Sequence, residues 1–141
     1  LGFLKKTQNR LYDYKFYPQA IENMEKELDE ITYKYSRSII YLDNMGSGMY
    51  QSNIEHYLVM KEESKKHVDL MDKLNTKKRE FMATRAARES LLPEERDFII
   101  KHYDLEWSRE RMMRHLNVSD ATFFRYKQRI LRKIAMMLGW A

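Results

Sequence analysis

Ile21, Met24, Leu28, Ile31, Tyr35 and Leu42 follow one another at steps of three and four residues, with Ser38 the single polar interruption. Apolar side chains at this period line one face of a helix, and a stripe this narrow is the seam of a helical hairpin or coiled coil. Pro18 suits the first turn of such a helix, where its missing N–H has no partner to lose. The helix is expected over residues 18–41. With two prolines and four glycines in 141 residues, little else along the chain interrupts helix, and the expected class is all-α.

The stretch "DNMGSGMYQSN" at 43–53 breaks the pattern with two glycines and small polar residues. Ser52 and Glu55 then form the S-x-x-E pair that caps a new helix reciprocally, expected over 53–82. Its apolar face reads as Ile54, Tyr57, Leu58, Val68, Met71, Leu74, Phe81 and Met82. Two outcomes are open for these helices. Their stripes pack on each other as an antiparallel hairpin, or a second chain covers them and the protein is a homo-oligomer. Upstream, residues 1–17 hold three tyrosines and no clear period, with a short helix expected at 3–14.

Beyond "ATRAARES" (83–90), a hinge in composition, come three closely spaced helical segments. The sequence thus divides into an N-terminal helical region, 1–84, for oligomerisation or partner contact, and a C-terminal domain, 85–141. Pro93 opens the first segment with Glu94 and Glu95 in its first turn, where acids favour the helix dipole. Ser108 caps the second, "RERMMRHL", with Met112, Met113 and Leu116 turned inward. Asn117 stands in the turn, where it tolerates a left-handed backbone, and Val118 plugs the angle between the helices. Ser119 caps the third, which runs to about Leu138.

Charge falls unevenly over these parts. Residues 1–84 carry fourteen Lys/Arg and thirteen Asp/Glu, whereas 85–141 carry twelve and eight. Within the last helix Arg125, Lys127, Arg129, Arg132 and Lys133 face only Asp120. An excess placed this way is the footprint of a polyanion binder, although a cationic run is also found as a plain solvated face.

A short helix, a tight turn and a longer basic helix make a helix-turn-helix. Phe123, Tyr126, Ile130, Ile134 and Met137 share one face and are expected to pack inward. Asp120, Ala121, Phe124, Arg125 and Gln128 then face out at the helix start, where side chains reach base edges. Ser108, Arg109, Ser119, Thr122, Lys127, Arg129 and Arg132 flank them as phosphate contacts. Phe124 either touches thymine methyl groups or tucks beside Tyr103, and the packing reading is preferred.

"LLPEERDFIIKHY" followed by "WSRERMMRHLNVSDATFFRYKQRILRKI" resembles the helix-turn-helix of sigma-factor region 4. More narrowly, the chain is similar to the RinA/ArpU family of phage transcriptional regulators. The stretches that carry this are "YPQAIENMEKELDEI", "SNIEHYLVMKEE", "ERDFIIKHY" and "LNVSDATFFRYKQRILRKIAMMLGW", about two-thirds of the length. The specific part is the terminal Ser-x-x-Thr followed by Arg-Tyr-Lys. Met113, where the motif usually has a small residue, and Lys127, at a position often apolar, depart from the pattern. The resemblance implies a sequence-specific activator of phage late genes that binds double-stranded promoter DNA, with bacterial RNA polymerase as a further partner, in the host cytoplasm.

Other chemistries find little support. Histidines 56, 67, 102 and 115 lack the spacing of a helical metal site, and no cysteine offers a thiolate. No phosphate loop or nucleophile constellation occurs, so neither an enzyme nor a cofactor is expected. No run of about eighteen apolar residues could span a membrane, and "LGFLKKTQNR" is too short and polar for a secretory signal. The alternatives to an activator are a small-terminase-like DNA-packaging subunit and a helical interaction protein that binds no DNA.

Overall fold

The computed structural model describes residues 2–44 and 50–141, the side chains of 41–44 and 50–53 excepted. The glycines of the 43–53 stretch, the Leu42 side chain and the Ser52 cap lie outside those described residues. Among the described residues every regular element is helical. Helix α1 (Gly2–Asp13) passes through a 3₁₀ turn (Tyr14–Phe16) into α2 (Tyr17–Asn44), and α3 runs from Tyr50 to Glu89. After a break at Ser90–Leu92, α4 (Pro93–Ile99) continues into a π-helical turn (Ile100–Asp104), followed by α5 (Arg109–Leu116) and α6 (Asp120–Met137). The small, charged stretch at 83–90 therefore stays helical almost to its end.

The chain forms two compact units, divided differently from a cut after Thr84. Unit 1 comprises residues 1–17 and 79–141, and unit 2 residues 18–78. The reason lies in α1, which packs along α6. Its inward line is Leu4, Thr7 and Leu11, a helical spacing disguised by a threonine. Thr7 is fully buried because its hydroxyl donates to the Phe3 carbonyl at 2.7 Å, leaving no polar group unpaired. The Tyr103 hydroxyl donates to Gln8 Oε1 at 3.2 Å, and Tyr12 meets the Tyr103 ring edge-on at 4.8 Å. Lys6 and Arg10 lie over the Trp140 ring, at 4.1 and 4.8 Å from its centroid.

The core of unit 1 is Leu11, Ala87, Leu91, Phe98, Ile99, Tyr103, Met112, Phe123, Ile130, Leu131 and Ile134. Phe123, Ile130 and Ile134 turn inward as expected, but Met137 does not. It is 44% exposed, while Leu131 and Ala135 are buried. A helix covered on one side would bury 130, 134 and 137. Cover from α1 as well rotates the buried arc toward 131 and 135.

Two ion pairs are drawn into this core. Glu95, 1% exposed, accepts from Lys133 Nζ at 3.0 and 2.9 Å and from the Leu92 N–H at 3.1 Å. Burial alone would raise its pKa, but these hydrogen bonds outweigh that and hold it below the ordinary carboxylate value. Arg88 grips Asp104 through both guanidinium nitrogens and lies 4.0 Å over the Tyr14 ring.

Unit 2 is thin. Its α2 stripe, Ile21, Met24, Leu28, Ile31 and Tyr35, is half-buried with Ser38, as the periodicity predicts. The α3 face differs from expectation. Its covered line is His56, Met60, Glu63, His67, Leu70 and Leu74, in strict steps of four and three, with Leu74 alone fully buried. Ile54, Tyr57, Leu58, Val68 and Met71 are exposed, and in unit 1 Met82 is too. A helix offers one neighbour only one line per 3.5 residues, and the apolar residues of α3 are spread over more than one. Lys78 pairs with Glu25 at 3.0 Å, and Lys34, Arg37 and Ser38 line a groove with His56, Val59 and Glu63. Rising positions on α2 thus meet falling positions on α3.

The Glu95–Lys133 pair yields a test. Lys133→Met strands a buried carboxylate and is expected to destabilise the chain by about 2–3 kcal/mol, moderated because Lys133 is partly exposed. Adding Glu95→Gln, which still accepts the Leu92 N–H, should restore part of that loss. Urea unfolding of both variants checks this, and equal midpoints for wild type and Lys133→Met would refute it.

Candidate nucleic-acid interface

Helix α6 is placed by the turn before it. The Ser108 Oγ accepts the Arg111 N–H at 3.1 Å and starts α5. Asn117 ends it at φ 53°, ψ 53°, the left-handed conformation expected of it, with the Val118 N–H donating to the Met113 carbonyl at 3.1 Å. Ser119 is extended, and its Oγ accepts the Thr122 N–H at 3.3 Å while its hydroxyl donates to Thr122 Oγ1 at 3.0 Å. Met113 and Val118 are partly buried against the core and fill the angle between α5 and α6.

With Phe123, Ile130 and Ile134 inward, Asp120, Ala121, Phe124, Arg125 and Arg132 are exposed and Gln128 is half-buried. These are the residues expected to face out. Phe124 departs from the preferred packing reading. It is 57% exposed, whereas the Tyr103 ring is fully buried against Tyr12 and His102. Tyr12 and Gln8 of α1 lie against Tyr103 instead.

Ser108, Arg109, Ser119, Thr122 and Arg129 are exposed around this face. Arg109 bridges to Asp120 Oδ1 at 3.4 Å and to Glu110 at 3.7 Å, so two proposed contact residues are joined before any ligand arrives. Lys127 is half-buried, its ammonium 5.8 Å from the Tyr103 ring centroid. Burial first, and the Arg109 charge second, lower its pKa from the usual lysine value. Arg129 lies 5.2 Å over the Tyr126 ring.

Of the five α6 cations, Lys133 is taken inward by Glu95. Among the described residues no carboxylate lies within ion-pair distance of Arg125, Lys127, Arg129 or Arg132. Two further exposed cations on α5 were not picked out from sequence, Arg111, 3.7 Å over the Trp107 ring, and Arg114. Arg114 lines a shallow cavity with Glu110, Met113, Asn117, Val118 and Ser119. The signal for both was present in "RERMMR", where Arg111 and Arg114 stand one turn apart and off the Met112 face. Regrouping the chain also sharpens the charge division. Unit 1 holds seventeen Lys/Arg against ten Asp/Glu, and unit 2 nine against eleven.

Among the described residues no group of His, Asp and Glu side chains is arranged to hold a metal ion, and no helix is long and apolar enough to cross a membrane. No protein-family model, curated protein or solved structure matches the chain.

His102 lies beneath this surface, against Phe98, Tyr103 and Phe123. Its Nδ1 hydrogen bonds to the Trp107 carbonyl at 2.9 Å, and its buried Nε2 has no partner. Burial lowers its pKa below the usual 6.5, the Trp107 carbonyl opposes that, and the Lys127 charge adds to the lowering. The unfolded chain therefore binds this proton first as pH falls. Stability should be full above about pH 6.5 and decline below it, until the folded form also protonates. His102→Gln should flatten that decline, read as urea midpoints at several pH values between neutral and acid. A slope unchanged by the substitution would show that another group causes it.

Proposed function

We propose that unit 1 is a helix-turn-helix DNA-binding module, α6 its recognition helix, and the chain a sequence-specific transcriptional activator like the RinA/ArpU regulators it resembles. The observation that carries the reading is the outward face of α6. Arg125, Arg129 and Arg132, exposed, and Lys127, half-buried, have no carboxylate partner among the described residues and accompany Ala121, Phe124 and Gln128 on a helix whose start is set by a left-handed Asn117 and a Ser119 cap. Such a helix start enters the major groove, where Arg125 is suited to guanine and Gln128 to adenine. Bacterial RNA polymerase is the proposed second partner, on the strength of the region-4 likeness.

Selection of bound duplexes from random DNA tests the reading directly, and failure to enrich any sequence would overturn it. Within the helix, Arg125→Ala should weaken the selected site by about 1–3 kcal/mol and barely change random DNA. Arg129→Ala should weaken all duplexes alike and flatten the log-affinity against log-salt slope by about one unit. Equal losses on both DNAs for Arg125→Ala would remove that residue from base reading.

Unit 2 is proposed to join copies of the chain, which would hold two reading heads at high effective concentration. The support is two exposed apolar pairs on α3, Ile54 with Tyr57 and Val68 with Met71, which share one register with Lys61 and Ser64 between them. Val68→Glu should lower the mass in solution while leaving helicity unchanged, measured by light scattering and circular dichroism. An unchanged mass would sink this role, and a wild-type mass of eight or more copies would favour the packaging-subunit alternative.

A further inference from the structure

We infer that Phe124, with Ala121 one turn before it, reads the 5-methyl group of thymine, and that the bound site carries a required thymine at that position. This rests on the DNA-binding reading above and names part of what that site recognises.

Phe123 and Phe124 are neighbours with opposite fates. Phe123 is 2% exposed between Phe98 and His102, whereas Phe124 is 57% exposed. The other aromatic side chains of α4 to α6 are engaged: Trp107 by Arg111 and His115, Tyr126 by Phe98 and Arg129. Among the described residues no ring or cation stacks on Phe124.

What surrounds it selects the occupant. Arg125, Lys127 and Gln128 stand beside it, and Arg129 and Arg132 lie further along α6. A ring set among unpaired cations suits a polyanion that also carries apolar groups, and poorly suits an apolar protein surface, which would have to bury those charges. In the major groove of duplex DNA, thymine alone among the four bases offers a methyl group. Residues 121, 124, 125 and 128 are neighbours over two turns, about 10 Å of helix and about three base-pair steps. The ring therefore lies within reach of the same short run of bases as Arg125 and Gln128.

The test uses the full chain and the duplex enriched from random DNA, with each thymine replaced singly by deoxyuridine, which lacks only the methyl. One or two positions should lose about fourfold in affinity, the worth of one buried methyl, and the rest should be neutral. Phe124→Ala should bind the thymine and uracil forms equally at those positions. Phe124→Leu, which keeps an apolar contact, should retain part of the difference. Arg125→Ala should weaken both forms and keep their ratio, and circular dichroism should show all three variants folded. Uracil neutral at every position, or a thymine preference that persists in Phe124→Ala, overturns the inference while leaving DNA binding intact. No enriched duplex at all overturns the DNA-binding reading itself.

Discussion

Burial of α6 from two sides is the constraint on which the rest of unit 1 depends. Phe98, Tyr103 and Met112 press on one flank of its inward arc, and Leu4, Thr7 and Leu11 of α1 cover the other. A helix held by one neighbour can roll by tens of degrees at little cost, because its apolar face is usually wider than the contact. Held by two, α6 has a defined rotation. That rotation buries Leu131 and Ala135 and exposes Met137, while Phe124, two turns before Leu131 on the same stripe, stays 57% exposed.

The same rotation sorts the charges. Lys133 falls on the inward side and meets Glu95, a buried acid that also receives the Leu92 N–H at the start of α4. One carboxylate thus joins the beginning of α4 to the far half of α6. Arg88 and Asp104 make a comparable link between the end of α3 and the π-helical turn, and the guanidinium face covers Tyr14. Cations that would be costly inside are matched there, and on the outward arc Asp120 pairs with Arg109 while, among the described residues, Arg125 and Arg132 have no ion-pair partner. An electrostatic face of this kind needs no long-range organisation beyond a helix rotated correctly, which is why a small module can carry it.

Unit 2 follows a different economy of packing. Its two helices meet along lines in which histidine, glutamate and serine alternate with apolar residues, and among the described residues of unit 2 Leu74 alone is fully buried. Hydrophobic burial on that scale contributes little, and Ile54, Tyr57, Leu58, Val68 and Met71 stay exposed. This is the physical basis for proposing that copies of the chain meet there. Charge also differs between the units, negative in unit 2 and positive in unit 1, so a polyanion would be drawn to unit 1.

By itself the sequence determined what depends on neighbours a few residues away. The α2 stripe, the Ser108 and Ser119 caps, the left-handed Asn117, the inward Phe123, Ile130 and Ile134, and the all-helical class are all set by spacing, side-chain hydrogen bonding and backbone sterics within a turn or two. The exposed positions on α6 could be named for the same reason. Tertiary structure alone decided the matters that turn on contacts between distant segments. The docking of α1, whose helical line was masked by Thr7, moved the unit boundary and set which face of α6 is buried. Capture of Lys133 by Glu95, 38 residues away, removed one cation from the basic face. On α3 several apolar lines competed and local period could not rank them. Only the position of α2 chose the line through Leu74, because a narrow partner can cover one line and leaves the others to water.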